Sequence, residues 1–296
     1  MVTSRARDIV RAAFGRVPDG FLGILRRLGD SPLPDPAQYW TLYETLSNRE
    51  HRYRARALMQ RSGPISAKHV EIVHRLDPVL VHLNILDRIH SVDHIESANA
   101  ALALIRRVVS TASDQAIRQS VEHLQPKTDL ATFFTRWLSK MDQPPAVPPI
   151  PKNDPDFAVL TTGEAMIALG RRYQNCAAQQ VPLVATGSHA YVEWLHEPGA
   201  IADCRYTTDG RFVLVDIFVH RNGRPSPALC ATVRRKLAAR GIPALSPGDG
   251  CPRVRDVLHL LGLWDTVGDL GFEHEADMEE GLAALEAELS ETVRAA

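Results

Sequence analysis

Three short runs in the second half of the chain decide the fold: His189-Ala-Tyr-Val-Glu-Trp-Leu195, Ala200-Ile-Ala-Asp-Cys-Arg-Tyr206 and Phe212-Val-Leu-Val-Asp-Ile-Phe-Val219. The first alternates with period two, which places Ala190, Val192 and Trp194 on one face of a strand and His189, Tyr191 and Glu193 on the other. Glu197-Pro-Gly199 turns the chain into the second run, and Asp209-Gly210 turns it into the third. Both turns carry the glycine that hairpin geometry favours. These signals predict a three-stranded antiparallel meander.

Helical signals flank the meander. Upstream, Thr161 and Glu164 have the spacing of a capping box, with Leu160 placed to staple onto the first turn. Met166, Leu169 and Tyr173 then share a face. Downstream, Asn222-Gly223 ends the strands, and Ser226-Pro227 opens a helix with Leu229, Val233 and Leu237 inward, closed by Gly241. A short helix at Pro252–Leu261 and an acidic helix at Glu273–Val293 are expected beyond it.

Farther upstream, alternation gives way to helical period. Ser4 and Asp19 are expected to cap short helices that stop at Gly15 and Gly29. Asp35-Pro36 opens a helix with Tyr39, Leu42, Tyr43 and Leu46 in one stripe. Ser66 opens another, carrying Val70, Val73 and Leu76. Asp77-Pro78 repeats the start signal before the apolar run Leu80–Ile89, and Ala98–Val109, Asp114–Leu124 and Leu130–Met141 complete the set. Six prolines within Gln143–Pro155 cannot continue a helix and favour an extended segment. The reading is therefore α+β: a helical domain at 1–141, a proline-rich linker at 142–157, a small α+β domain at 158–262, and an acidic C-terminal helix at 263–296.

The chain has 296 residues and a formal net charge of −1, unevenly placed. Residues 1–140 carry 20 Lys+Arg against 14 Asp+Glu, a net of +6, whereas residues 272–296 carry one against eight, a net of −7. Four cysteines, Cys176, Cys204, Cys230 and Cys251, form no C-x-x-C pair, which suggests reduced thiols and a cytoplasmic setting. No signal-peptide pattern and no apolar run near the length of a membrane span is visible. No membrane contact and no cofactor are expected.

Three sets of residues could carry chemistry. Arg49, Arg52, Arg54, Arg56 and Arg61, interleaved with His51 and Tyr53, form the densest basic segment. On a helix Arg49, Arg52 and Arg56 share a face, where guanidinium groups and the Tyr53 ring suit phosphates and stacked bases. Second, Cys176 precedes the strand bearing His189, with Asp203 and Asp216 on the next two strands; a thiol nucleophile needs an imidazole and an orienting carboxylate. Asp216 lies in an apolar strand, where a buried carboxylate needs a partner. Third, His90 and His94 lie four apart, as metal ligands on one helical face do, but no H-E-x-x-H accompanies them and no metal is assigned. Arg234-Arg235-Lys236 reads as solvated helix surface.

Two resemblances bear on these sets. His189-Ala-Tyr-Val-Glu resembles the His-Ala-Trp-Val-Glu strand of transglutaminase-like cysteine enzymes, although only thirteen positions separate Cys176 from His189 and the family's Asp-Pro is absent. The block Leu160–Asn222 resembles the PcfJ-like family of bacterial conjugative and other mobile elements. Gly170, Asn175-Cys176, Gly187, the strand Ala190–Leu195 and Asn222 match it in order, while Gln180 stands where the family has tyrosine. That resemblance implies mobile-element association and no particular activity. The favoured reading is a non-enzymatic protein that contacts nucleic acid, weakly and without sequence preference, or a protein partner through its helical half. The alternative is a thiol enzyme with Cys176 as nucleophile, His189 as base, and Asp203 or Asp216 as orienting carboxylate. In the favoured reading Cys176 is a structural thiol at the end of a helix, with Glu193 free to pair with His189.

Overall fold

The computed structural model describes residues 5–244. Ser4, Cys251, the helix at Pro252–Leu261 and the acidic helix at Glu273–Val293 lie outside the described residues. The architecture is α+β, a helical N-terminal part followed by an antiparallel sheet. The helices are α1 (Ala6–Phe14), α2 (Phe21–Leu28), α3 (Ala37–Ser47), α4 (Arg52–Gln60), α5 (Ala67–Arg75), α6 (Leu83–Leu86), α7 (Val92–Val108), α8 (Asp114–Glu122) and α9 (Leu130–Leu138). After the proline-rich segment come β1 (Phe157–Val159), α10 (Gly163–Tyr173), α11 (Val181–Ala185), β2 (His189–Trp194), β3 (Ala200–Tyr206), β4 (Phe212–Phe218) and α12 (Pro227–Ala238).

Side-chain caps fix several helix starts. Ser91, Ser113, Asp129, Thr162 and Ser226 each accept a backbone N–H of the first turn, which satisfies donors that have no partner within the helix. Ser91 starts α7 six residues before the expected Ala98. The Asp77-Pro78 signal opens no helix. Asp77 instead binds Arg106 across the bundle, Nη1 to Oδ2 at 2.8 Å, and accepts the Val79 N–H. The helix expected over Leu80–Ile89 contracts to the single turn of α6, although Leu80, Val81, Ile85, Leu86 and Ile89 are all buried.

The sheet has four strands in the order β1-β2-β3-β4, one more than the sequence suggested. The additional strand, β1, pairs Phe157 with Trp194 and Val159 with Val192. Three residues are too few to show alternation, which is why periodicity misses it. Between β3 and β4 the register passes from Asp203↔Asp216 to Cys204↔Leu214. Val215 is thus the extra residue of a β-bulge, and it changes which side chains of β4 face which layer.

Both faces of the sheet are covered. Ala190, Val192, Trp194, Ala202, Cys204 and Leu214 pack with Val233 and Leu237 of α12. On the opposite face, Tyr191 and Ile201 join Met166, Leu169, Val181 and Val184 in a buried set that continues through α9 and α7 to Phe21 and Val10. The face that carries His189, Tyr191 and Glu193 is therefore also a packing face, and Tyr191 is only 6% exposed. The start of α10 shows how closely these layers meet. Gly163 donates its N–H to Met141 O at 2.8 Å, and a Cβ at that position would lie 2.0 Å from Ser139 O. Only glycine fits there, so the helix starts at Gly163 with Thr162 as its cap, one residue beyond the Thr161 signal.

Candidate functional site

The arginines at 49–61 divide into two kinds. Arg54 turns inward and donates to Val73 O (2.8 Å), His74 O (3.1 Å) and Leu76 O (2.8 Å), satisfying the carbonyl end of α5. Arg61 pairs with Asp87. Arg49, on the short turn before α4, and Arg52 and Arg56, four apart on α4, face outward. Among the described residues none of these three has a carboxylate within ion-pair distance. Arg118 of α8, 65 positions downstream of Tyr53, joins them without one. Its guanidinium lies 4.7 Å from the centre of the Tyr53 ring, and that of Arg52 lies 4.9 Å from it. Arg52 Nη2 also donates to the Tyr53 hydroxyl at 3.1 Å. That hydrogen bond, helped by the charges of Arg52 and Arg118, holds the phenol pKa below its ordinary value. The ring thus serves as a platform for two cations.

Beside this platform a cavity of about 250 Å³ opens between α4, α6 and α8. Arg56, Arg118, His82, Gln60 and Glu122 line it together with Tyr53, over apolar walls that include Val79 and Val121. His82 uses Nδ1 to accept the Asn84 N–H. Burial holds its pKa below the ordinary imidazole range, with Glu122 opposing and Arg56 assisting, so it is neutral at pH 7. Glu122 is the single carboxylate among the lining residues. Sequence reasoning missed Arg118 and His82, because nothing in one dimension links α8 and α6 to α4.

A second constellation surrounds Cys176. The sequence places this thiol at the end of α10, but α10 stops at Tyr173 and Cys176 opens a five-residue 3-10 turn that runs into α11. Asn175 caps the turn by accepting the Ala177 N–H at 3.1 Å. The amide nitrogens of Gln180 and Asn222 each lie 3.8 Å from Cys176 Sγ. Arg221 Nε donates to Gln174 Oε1 at 2.9 Å. Gln174, Arg221 and Asn222 have φ of 49°, 58° and 53°, and they are the non-glycine residues with positive φ among those described. Such backbone is costly and persists only where the surroundings enforce it. Cys176 and Asn222, 46 positions apart in the chain, therefore meet in space.

The expected thiol–imidazole–carboxylate line does not form. His189 bonds Ser188 Oγ at 3.0 Å and stacks parallel to Tyr191, with ring centres 6.4 Å apart. Burial lowers its pKa to about 4. Glu193 pairs with Arg172 at 2.6 Å instead of with His189. In register, His189 faces Arg205, and Asp203 faces Tyr191 on one side and Asp216 on the other. Asp203 Oδ1 is shut off from solvent without a hydrogen-bond partner, and burial raises the pKa of this carboxyl to about 7. Burial likewise pushes the Tyr191 phenol up. Asp216, expected to be buried, is exposed, because the bulge at Val215 turns it away from the apolar layer; its Oδ1 accepts the Ile217 N–H at 2.7 Å.

His90 and His94 have ring centres 6.0 Å apart, but His94 Nδ1 faces the His90 N–H. Among the described residues no group of three His, Cys, Asp or Glu could hold a metal ion, and no helix is long and apolar enough to cross a membrane. No family model, curated protein or solved structure matches the chain.

Proposed function

We propose that this protein binds nucleic acid without sequence selection, through the surface of its helical half around Tyr53. The observation that carries the reading is the convergence of Arg56 and Arg118 on one cavity, with Arg52 beside it on the Tyr53 ring, none of the three with a carboxylate partner among the described residues. Guanidinium groups left free of carboxylates can pair with phosphates, and each such contact releases a cation condensed on the nucleic-acid backbone, which is favourable in entropy. The net +6 of residues 1–140 supplies the long-range attraction. Exposed guanidinium groups around a ring face suit the phosphate backbone, so phosphate contact without sequence preference is the expected mode. The Leu160–Asn222 resemblance adds mobile-element association to the proposal. The test is a salt titration of single-stranded DNA binding. Replacing Arg52, Arg56 and Arg118 with Ala should weaken binding and flatten the dependence of log K on log salt by roughly 2, at about 0.7 per phosphate contact. Absence of binding at low salt overturns the reading.

A second reading, a thiol enzyme, is favoured by one observation: Cys176 opens a helical turn with two side-chain amides at its sulfur. Such amides suit an oxyanion better than a structural thiol. In this reading Gln180 and Asn222 take the supporting roles at the sulfur. Iodoacetamide labelling across pH separates the readings. Rapid labelling at neutral pH, slowed by Asn222→Ala and unchanged by His189→Ala, favours the enzyme. Slow labelling with an alkaline midpoint leaves Cys176 structural.

A further inference from the structure

We propose that the cavity beside Tyr53 takes a terminal phosphomonoester, the phosphorylated end of a nucleic-acid strand, in preference to the diester backbone; this rests on the nucleic-acid reading above. The first argument is shape. A cavity of about 250 Å³ lies below the roughly 300–1,000 Å³ typical of sites that enclose a whole small molecule. It is a socket for one group, whereas an internal phosphodiester must leave in two directions and suits an open groove. The second argument is charge. A phosphomonoester carries about −1.5 to −2 at pH 7, against −1 for a diester, and offers three acceptor oxygens. Arg56 and Arg118 supply two guanidinium forks at the lining, with Arg52 beside them on the Tyr53 ring. Planar forks are the groups best matched to phosphate oxygens.

The third argument is what surrounds the cations. His82 is held neutral and fixed by its bond to the Asn84 N–H, so it adds polarity without charge. Gln60 adds an amide. Glu122 opposes an anion, and two arginines against one glutamate leave the lining at +1 before Arg52 is counted. The cation–π contacts hold Arg52 and Arg118 near their positions in the absence of ligand, which limits the entropy lost when they grip it.

The experiment measures binding of one short single-stranded DNA of mixed sequence, with its 5′ end either phosphorylated or hydroxyl, to the full chain at moderate salt. The phosphorylated strand should bind roughly tenfold to a hundredfold tighter, as charge-assisted hydrogen bonds of this kind provide. Arg118→Gln and Arg56→Gln should each reduce that ratio toward one. Glu122→Gln, at an exposed position, should raise affinity for the phosphorylated strand. Equal affinity for the two strands overturns the proposal and leaves the nucleic-acid reading standing; no binding of either strand removes both. Inorganic phosphate and a nucleoside 5′-monophosphate serve as competitors. If either displaces the phosphorylated strand at a concentration near that strand's own dissociation constant, the socket is for free phosphate esters and the strand is overturned as its source.

Discussion

Asp156 and Asp203 border the same sheet and sit in opposite electrostatic settings. Asp156, just before β1, accepts from Lys236 Nζ at 2.7 and 2.8 Å, Arg240 Nη2 at 2.8 Å and His196 Nε2 at 2.9 Å. Its neighbour Asp154 holds the same Arg240 at 2.6 Å. These hydrogen bonds hold both carboxyls below their ordinary range, that of Lys236 contributing most for Asp156 and that of Arg240 most for Asp154. On β3, Asp203 has an enclosed oxygen with no partner and a pKa raised to about 7. The first carboxylate closes the end of the proline-rich segment onto α12; the second is a cost the fold carries. The arginines show the same contrast. Arg54, Arg106 and Arg240 complete structure, whereas Arg52, Arg56 and Arg118 are left over. Polar groups left over by the fold are where ligands are to be sought.

The largest expected effect is at Asp203. Folded, it keeps a proton that the unfolded chain loses near pH 4, so its contribution falls as pH rises from about 4 to about 7 and is then constant. Asp203→Asn should stabilise the protein at pH 8 by as much as about 4 kcal/mol, since each tenfold change in acidity corresponds to about 1.36 kcal/mol, and have little effect at pH 4. Urea unfolding at pH 8, 6 and 4 measures this. Equal stability of the two proteins at pH 8 breaks the comparison.

Asp156 should behave with the opposite sign. A depressed folded pKa gives stability that is present above the unfolded value, about 3.9, and is lost as pH falls through the folded one. Asp156→Asn should lower Tm at pH 7, and the gap to wild type should close in acid. The effect is smaller than at Asp203, because Lys236 and His196 are 39% and 53% exposed and return readily to water.

The anchor and the shared core can be tested together by proteolysis. Lys152 is exposed, and trypsin should cleave after it early. The two fragments should then co-elute in size-exclusion chromatography, because Tyr191 and Ile201 pack in the same buried set as Val10 and Phe21. Fragments that separate would sharpen the comparison by showing that each half holds its own charge network. The smallest effect belongs to the leftover arginines. Arg56→Ala should change stability by less than about 0.5 kcal/mol while reducing nucleic-acid affinity.

Much of the fold was legible in one dimension. Ser66, Ser226 and the Asp209-Gly210 turn acted where their chemistry says they should, because caps and turns are satisfied by residues within four positions. Asp77-Pro78 misled because Asp77 accepts the Val79 N–H as a cap would, yet no helix follows, and the same carboxylate also binds the long-range partner Arg106. Strand β1 escaped because its evidence is the pairing with β2 and not its own three residues. For the sites, Arg52, Tyr53 and Arg56 were visible as a local cluster, whereas Arg118 and Asn222 reach their partners from 65 and 46 positions away.

The sequence by itself determined the α+β class, the order of helices before strands and the basic character of the front half, since these depend on period, turn chemistry and charge count. Only the tertiary structure decided which arginines are neutralised, that both faces of the sheet are covered, and that Cys176 meets Asn222 instead of His189. The physical reason is that burial and hydrogen-bond pairing depend on distance in space, and a chain that folds back on itself helix after helix sets those distances through packing that no local pattern encodes.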